Sequence, residues 1–153
     1  MGRMIMVKCD CGFFKEDYLY GVNMAYPRVK KHQTALAKSG YYGKQWQELL
    51  SNDPELLVNA EYRLYQCSGC NKLISECCMD LYKSSREDGY YYTPEPNEVI
   101  YQYKHICPDC KKRMVHIPIS QKHFLYGADN FEELVLCPNC GNTVIAKLSG
   151  FTD

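Results

Sequence analysis

The chain has 153 residues and carries 18 Lys and Arg against 18 Asp and Glu, so its formal net charge is zero. This balance excludes a protein that coats nucleic acid with a uniformly basic surface, and any such binding would need a local patch. No apolar run is long enough to span a bilayer, and residues 1–8 contain none of signal-peptide length, so we expect a cytoplasmic protein without a membrane segment.

Cysteine is the most informative residue type in this sequence, because eight of the ten cysteines form four close pairs. In a reducing compartment paired cysteines hold a metal more often than they form disulfides, although an even count also fits a disulfide framework. Four thiolates from two such pairs suit a tetrahedral zinc ion. We therefore predict metal ligands at Cys9, Cys11, Cys67, Cys70, Cys107, Cys110, Cys137 and Cys140.

The first pair lies at the tip of a predicted hairpin. Residues 4–8 have the apolar composition of a short buried strand, and residues 13–20 predict the return strand. The C-x-C spacing of Cys9 and Cys11 is one residue shorter than that of the other pairs, so the turn needs the conformational freedom of Gly12. The alternative is that one of these two cysteines is only a small buried hydrophobe.

A helical insertion is predicted over about residues 27–59. Pro27 suits a first helical position, Ser39-Gly40 suits an end, and a second helix is predicted from about Tyr42 to Leu50. Residues 28–47 hold basic and aromatic side chains and no acidic one, so they could bind phosphates and stack bases. We favour the alternative, a solvated helix face whose rings point into the core. The residues concerned are Arg28, Lys30, Lys31, Lys38, Lys44, Tyr41, Tyr42 and Trp46.

The second cysteine pair is also flanked by predicted strands. Residues 60–66 lead into Cys67-Ser68-Gly69-Cys70, and an exit strand is predicted over residues 72–82. Strand alternation would point the adjacent Cys77 and Cys78 to opposite faces. We expect Cys77 to be a core thiol and Cys78 to be the free, reactive one.

A polar loop follows and marks the best candidate boundary between two halves of the chain. Residues 84–98 contain turn formers and a cluster of acidic residues, which is typical of a linker. The loop also contains three consecutive tyrosines, which could contact a protein partner or fold back over the adjoining strands. These candidate partner-binding residues are Tyr90, Tyr91 and Tyr92.

The last third of the chain contains the strand, cysteine pair and strand pattern twice. Predicted strands surround Cys107-Pro108-Asp109-Cys110 and Cys137-Pro138-Asn139-Cys140, and one helical turn is predicted from Ser120 to Tyr126. His105 lies two residues before Cys107. It could be a replacement ligand, a donor to a ligand or a surface residue, of which we favour the last.

Combining the cysteine pairs in sequence order gives two similar metal modules. The first joins Cys9 and Cys11 to Cys67 and Cys70, and the second joins Cys107 and Cys110 to Cys137 and Cys140. This indicates a tandem duplication and a small metal-bound α+β fold of two zinc-ribbon-like β units, the first with a helical insertion. The predicted boundaries are residues 1–83 for the first unit, 84–98 for the linker and 99–153 for the second.

The second unit resembles a zinc ribbon of the rubredoxin-knuckle type. The resemblance rests on C-P-D-C and C-P-N-C-G between short β segments and covers roughly residues 99–149. The start Val7-Lys8-Cys9-Asp10-Cys11-Gly12, with the distant Cys67-Ser68-Gly69-Cys70, is faintly similar to bacterial CpXC-type proteins. The zinc-ribbon resemblance implies a metal-braced fold, and such ribbons serve in transcription factors, ribosomal proteins, nucleic-acid enzymes and adaptors.

The predicted sites favour a structural role for the metal. We expect two zinc ions per chain, because four thiolates leave no position for water, although iron or an iron-sulfur cluster also uses four sulfurs. The sequence contains no phosphate-binding, hydrolase or metalloprotease motif. We therefore predict a non-enzymatic adaptor or regulator that binds a protein partner. The alternatives are a DNA- or RNA-binding protein, helped by Lys111, Lys112 and Arg113, and a thiol-based redox or hydrolytic enzyme.

Overall fold

The structure of the chain is a computed structural model that describes residues 2–86, 93–123 and 129–152, with the backbone alone at 120–123 and 129–131. It is a small α+β fold with more strands than helices. The elements are β1 (Gly2–Lys8), β2 (Phe14–Tyr20), α1 (Tyr26–Lys38), α2 (Lys44–Asn52), β3 (Leu57–Val58), β4 (Tyr62–Cys67), β5 (Leu73–Cys77), β6 (Leu81–Tyr82), a 3-10 turn (Pro96–Glu98), β7 (Val99–Tyr101), β8 (Met114–Ile117), β9 (Ser120–His123), β10 (Asp129–Leu136) and β11 (Thr143–Thr152).

The chain forms two compact units, and each is assembled from separate stretches of sequence. The cysteine unit comprises Met1–Gly21, Tyr62–Glu76 and Lys104–Asp153, and the helical unit comprises Val22–Glu61 and Cys77–Tyr103. These units cut across the predicted division at residues 84–98. The physical reason is that β1, at the start of the chain, pairs with β11, at its end, and so draws both ends into one unit.

A five-stranded antiparallel sheet of order β2-β1-β11-β10-β9 contains most of the strands of the cysteine unit that the structure describes. Ile5 and Val7 point to its buried face, where alternation places them beside Ala146 and Val135 of the neighbouring strands. A second sheet, of order β5-β4-β8, contributes Leu64 and other residues to the same core. The core cluster consists of Ile5, Val7, Tyr18, Leu64, Leu73, Ile119, Val135 and Ala146.

The helical unit contains the two helices predicted from the insertion and a small sheet of order β3-β6-β7. Helix α1 has Pro27 in its first turn, and Gly40, just past its end, has a φ of 91°. Trp46 and Leu50 are buried on one side of α2, four residues apart as the sequence predicts for an apolar stripe. No helix among the described residues is both long and apolar enough to cross a membrane.

Two predicted elements are wrong. The exit strand predicted over residues 72–82 is divided into β5 and β6, which belong to different sheets, because Met79 between them has a φ of 63°, outside the strand region. The second is the predicted helical turn. The residues from Ser120 to His123 form strand β9, which pairs with β10, and not the start of a helical turn. The local capping pattern at Ser120 gives way to backbone pairing, because β10 offers a free edge to the preceding segment. Residues 124–126, the rest of that predicted turn, lie outside the described part of the chain.

Candidate metal centres

The eight paired cysteines form two groups of four that could hold metal ions, and within each group the sulfurs all lie within 4.8 Å of one another. The outer site consists of Cys9, Cys11, Cys137 and Cys140, and the inner site consists of Cys67, Cys70, Cys107 and Cys110. The predicted pairing in sequence order is therefore wrong. The first pair joins the fourth, and the second joins the third.

Strand pairing explains this nested arrangement. Cys9 directly follows β1, and the last pair of cysteines lies between β10 and β11. Because Val7 of β1 lies opposite Ala146 of β11, both hairpin tips project from the same end of the sheet. The inner site forms in the same way where β4 pairs with β8, with Cys67 opposite Met114. Neither relation is visible in the spacing of the cysteines.

All four cysteine turns share one backbone feature, a positive φ at the residue after the second cysteine. These residues are Gly12, Asn71, Lys111 and Gly141, with φ values of 100°, 63°, 62° and 77°. The left-handed conformation folds the chain back so that both sulfurs of a pair point to the same side. Glycine suits this position, and the inner site places Asn71 and Lys111 there instead.

Backbone hydrogen bonds close each turn around its first cysteine. The N–H of Cys137 donates to Asn142 O at 2.8 Å, and the N–H of Gly141 donates to Cys137 O at 2.9 Å. In the C-x-C turn the corresponding hydrogen bond spans one residue fewer, because Cys9 N–H donates to Phe13 O at 2.9 Å. The first turn is thus a shortened form of the others, and both of its sulfurs belong to the site.

The sulfur positions fit a tetrahedral ion. Within the inner site, Sγ of Cys67 lies 3.2 Å from that of Cys110, and Sγ of Cys70 lies 3.7 Å from that of Cys107. The outer site has two such distances of 3.6 Å, which join Cys9 to Cys140 and Cys11 to Cys137. Zinc–sulfur bonds of about 2.3 Å would place the sulfurs of a tetrahedron about 3.8 Å apart. The donors therefore suit such an ion with little movement.

Cys67 and Cys137, each the first cysteine of its turn, have thiols that are easily deprotonated. The N–H groups of Cys70 and Gly69 point at the sulfur of Cys67 and, against the effect of burial, lower its pKa to about 6. At Cys137 burial raises the pKa, but hydrogen bonds from the N–H groups of Cys140 and Asn139 outweigh it and lower the pKa to about 7. Backbone N–H groups thus stabilise the thiolates that a metal needs.

Three further thiols, those of Cys9, Cys11 and Cys70, hold their protons more firmly. A backbone N–H lowers the pKa of Cys9 and of Cys11, but burial and hydrogen bonds with neighbouring sulfurs outweigh it, so both pKa values are raised. At Cys70 the N–H of Lys72 lowers the pKa, but burial and the three neighbouring sulfurs raise it to about 11. Four sulfurs this close cannot all ionise without a cation, which is the environment that a metal site provides.

Lysine side chains lie beside the inner site. The Nζ of Lys72 is 2.8 Å from Asp109 Oδ2, and Asp109 first, then the thiols of Cys107 and Cys70, raise the pKa of this lysine. Lys112 crosses Gly69 so closely that an added Cβ at Gly69 would lie 2.5 Å from Lys112 Cδ. These cations offset the negative charge that four thiolates retain around a divalent ion.

One buried side chain joins the two sites. Gln66, directly before Cys67, accepts a hydrogen bond from the N–H of Leu136 and donates one to the Leu136 carbonyl, directly before Cys137. It also donates to the carbonyl of Asn71 at 2.9 Å. Sequence reasoning missed Gln66, because a glutamine in a strand carries no signal for a partner 70 residues away.

The histidine beside the inner site is buried, which corrects the expectation of a surface residue. His105 Nδ1 lies 2.9 Å from Glu76 Oε2, and the imidazole stacks on Tyr65 with ring centroids 4.0 Å apart. Both cysteine groups are complete without it. His105 is therefore part of the packing beneath the inner site.

The aromatic residues of the insertion divide between core and surface. Trp46 is buried, donates from Nε1 to Met79 O at 2.8 Å and contacts Tyr103 edge-on. Tyr42 donates its hydroxyl hydrogen bond to Gln33 and also contacts Tyr103 edge-on. Trp46 is thus unavailable for stacking on a base, and the ring contacts hold Tyr42 in place, whereas Tyr41 is exposed.

The basic residues of the insertion divide in the same way. Lys30 donates from Nζ to the Tyr82 hydroxyl at 2.7 Å, and Lys44 lies 3.7 Å from Glu48, one helical turn away. Arg28, Lys31 and Lys38 are exposed on α1. Three of the five predicted cations therefore remain as candidates for binding a polyanion.

Two further groups of residues stand apart from the metal centres. Cys77 and Cys78 are both buried, so the expectation that Cys78 is the accessible thiol is wrong: β5 ends at Cys77, and the Cys78 N–H donates to Glu61 O at 2.9 Å. The predicted partner-binding residues Tyr90, Tyr91 and Tyr92 lie outside the described residues.

Comparison with protein families, with curated proteins and with solved structures finds no match for the chain.

Proposed function

We propose that this protein is a non-enzymatic, zinc-stabilised adaptor or regulator that holds two zinc ions per chain and contacts another protein. The observation that carries the proposal is the pair of four-cysteine groups, each with sulfurs at tetrahedral spacing. Zinc bound by four thiolates has no open position for water or substrate, so such a site stabilises a fold. The ions would brace the hairpin tips of the cysteine unit.

The remaining thiols support a role without catalysis. Cys77 and Cys78, the two cysteines outside the groups, are buried, and a thiol nucleophile must be accessible and deprotonated. The thiol-based enzyme is therefore the weakest of the alternatives. Zinc rather than iron is proposed because the ligands come from two separate turns around one tetrahedral position, which is the usual structural zinc site.

Metal content and partner class test the proposal in separate measurements. Native mass spectrometry of the purified chain should show two zinc ions, and the protein should be colourless, whereas four-sulfur iron sites absorb visible light. A tagged chain purified from its source cell after nuclease treatment should carry a stoichiometric protein. A chain with no metal or with visible iron absorption would contradict the metal assignment. Nucleic acid protected from the nuclease, without a bound protein, would contradict the adaptor role.

A second candidate is nucleic-acid binding through α1. The exposed cations Arg28, Lys31 and Lys38 fall within about 80° of each other around the helix axis at 100° per residue. Helix α1 contains no acidic residue, and a cation in its first turn is unfavourable with the helix dipole, so a bound phosphate would relieve repulsion.

Salt dependence tests this second candidate. Binding of a mixed-sequence duplex, followed by fluorescence anisotropy, should weaken about 40-fold between 50 and 200 mM salt if three phosphates are contacted. The triple variant Arg28→Gln, Lys31→Gln and Lys38→Gln should abolish binding, and Lys44→Gln, which changes a lysine paired with Glu48, is the matched control. Absence of binding at 50 mM salt would eliminate this candidate.

A further inference from the structure

Exposed apolar side chains lie beside the inner site, on the hairpin that carries Cys107 and Cys110. Ile106 and Arg113 form an antiparallel bridge, and the Cys107 N–H continues this register by donating to the Lys112 carbonyl. Alternation along the two arms then places Lys104, Ile106, Arg113 and Val115 on one face, opposite the buried His105, Cys107 and Met114. Ile106 is 52% exposed and Val115 is 51% exposed.

A second set of apolar side chains lies beside the outer site, on the outward face of the large sheet. Leu134 of β10 lies directly opposite Ile145 of β11, and they are 61% and 50% exposed. Leu136, two residues further along β10 and directly before Cys137, is 39% exposed. The adjacent Val135 and Ala146 point into the core, so both faces of the sheet carry apolar side chains at these positions.

Gln66 connects these two sets. It lies opposite Val115 in the pairing of β4 with β8, and its amide is hydrogen-bonded to the backbone of Leu136. Val115 and Leu136 are therefore both neighbours of Gln66, which joins the two sets of exposed apolar side chains. We call this feature the knuckle surface. It consists of Ile106, Val115, Leu134, Leu136 and Ile145.

The inner-site end of the knuckle surface is positively charged. Arg113 lies opposite Ile106, and the same register, continued by the hydrogen bond from Met114 N–H to His105 O, places Lys104 beside Val115. Neither cation forms an ion pair with a residue in the described part of the chain. The acidic residue of this hairpin, Asp109, is already paired with Lys72. A ligand that covers Ile106 and Val115 would therefore meet uncompensated positive charge at their side.

We propose that the knuckle surface binds a protein segment that combines apolar side chains with acidic ones, the acidic residues lying against Lys104 and Arg113. This inference rests on the proposed adaptor function and names its contact surface and partner class. Contiguous exposed apolar residues mark binding sites in soluble proteins, and unpaired cations beside them select a partner of opposite charge. The apolar side chains make a polyanion such as nucleic acid the poorer fit, since phosphates gain nothing from Ile106, Val115 or Leu134.

A random-peptide display library is the probe. The zinc-loaded chain should select peptides enriched in Leu, Ile or Phe together with Asp or Glu. Affinity of a selected synthetic peptide, measured by fluorescence anisotropy, should fall at least tenfold in Val115→Glu and in Leu134→Glu. The affinity should also fall in Arg113→Gln, and it should depend less on salt concentration than the affinity of the wild type does. Phe151→Glu is the matched control, because Phe151 is 53% exposed on β11 but lies opposite Arg3, beyond the knuckle surface, and should leave the affinity within twofold.

Each variant is first shown to hold two metal ions, so that loss of binding is separated from loss of folding. The inference would be overturned if the chain selected no peptide or only basic peptides. It would also be overturned if the wild type, Val115→Glu and Leu134→Glu bound the peptide with equal affinity. In each case the measured metal content would still support the zinc assignment. A labelled 20-nucleotide single strand that competes with the peptide and depends on Val115 would also overturn it, in favour of nucleic acid. A dimer in sedimentation that Leu134→Glu dissociates would overturn it in favour of a second copy.

Discussion

The side chain of Gln66 pairs with the backbone of Leu136 as a neighbouring strand would. Its Oε1 accepts from the Leu136 N–H at 3.0 Å, and its Nε2 donates to the Leu136 carbonyl at 2.7 Å. The residues that follow are Cys67 of the inner site and Cys137 of the outer site. One amide thus links the strand residue before the first cysteine of one group to the strand residue before the third cysteine of the other.

Replacing Gln66 with alanine should loosen both sites. The backbone N–H and carbonyl of Leu136 would lose their partner, and leaving such groups unpaired costs about 1–3 kcal/mol. Urea unfolding of the zinc-loaded chain should show this loss, and chelator titration should release both metals more easily. Gln45→Ala, on the exposed side of α2, is the control and should change the stability by less than about 0.5 kcal/mol. An effect confined to one metal would contradict the coupling.

Double substitutions distinguish nested from sequential pairing of the cysteines. Cys11→Ser with Cys140→Ser removes two ligands from the outer site alone, so one zinc should remain, whereas Cys11→Ser with Cys70→Ser damages both sites and should leave none. Pairing in sequence order predicts the reverse, because Cys11 and Cys70 would then share a metal. Native mass spectrometry of the two variants decides between these outcomes.

The sequence was sufficient to identify the cysteines of the two groups, but it was insufficient to predict which cysteine turns share a group. The close spacing within each pair is local chemistry, so the sequence could name all eight cysteines of the two groups that could hold metal, including Cys9 and Cys11. Which turns meet depends on the pairing of β1 with β11, whose paired residues are 139 to 150 positions apart in the sequence, and no local pattern encodes that contact. Trp46 and Tyr42 show the same limit, because the sequence could not tell which aromatic rings of the insertion face Met79 and Tyr103.

Substitutions at the residues with positive φ in the cysteine turns should change the free energy of unfolding in opposite directions. Gly141→Ala forces a side chain into a φ of 77°, which costs about 1–2 kcal/mol. Lys111→Gly relieves the same strain at a φ of 62° and should raise the free energy of unfolding by up to about 1 kcal/mol, after the entropy of the added glycine is subtracted. Urea unfolding at saturating zinc measures both. A stabilised Gly141→Ala would show that this strain is unimportant.

The buried indole of Trp46 should be important for the helical unit and irrelevant to metal content. Trp46→Phe keeps an aromatic ring but leaves the Met79 carbonyl unpaired, so we expect a loss of about 1–3 kcal/mol. The metal ligands all belong to the cysteine unit, so two zinc ions should still bind. Tyr41→Phe is the control, because Tyr41 is exposed and its contact with Tyr42 needs only the ring. Loss of zinc from Trp46→Phe would contradict this separation.

Acid should remove zinc from the outer site before the inner one. Protons compete with the metal for thiolates, and a raised pKa makes this competition begin at higher pH. Each site combines lowered and raised thiols. In the outer site the pKa is lowered to about 7 at Cys137 and raised at Cys9 and Cys11, and in the inner site it is lowered to about 6 at Cys67 and raised to about 11 at Cys70. The difference between the sites is that Lys72 and Lys112 lie beside the inner one, and these cations favour its thiolates over the protonated thiols.

As the pH falls from neutrality, a chromogenic zinc chelator should therefore report two release steps. The double variant of Cys11 and Cys140 should retain only the step at lower pH, because its outer site is already disabled. The corresponding variant of Cys70 and Cys110 should retain only the step at higher pH. If the two variants show the opposite order, the thiolates of the outer site are the better protected ones, and the cations beside the inner site do not govern its affinity.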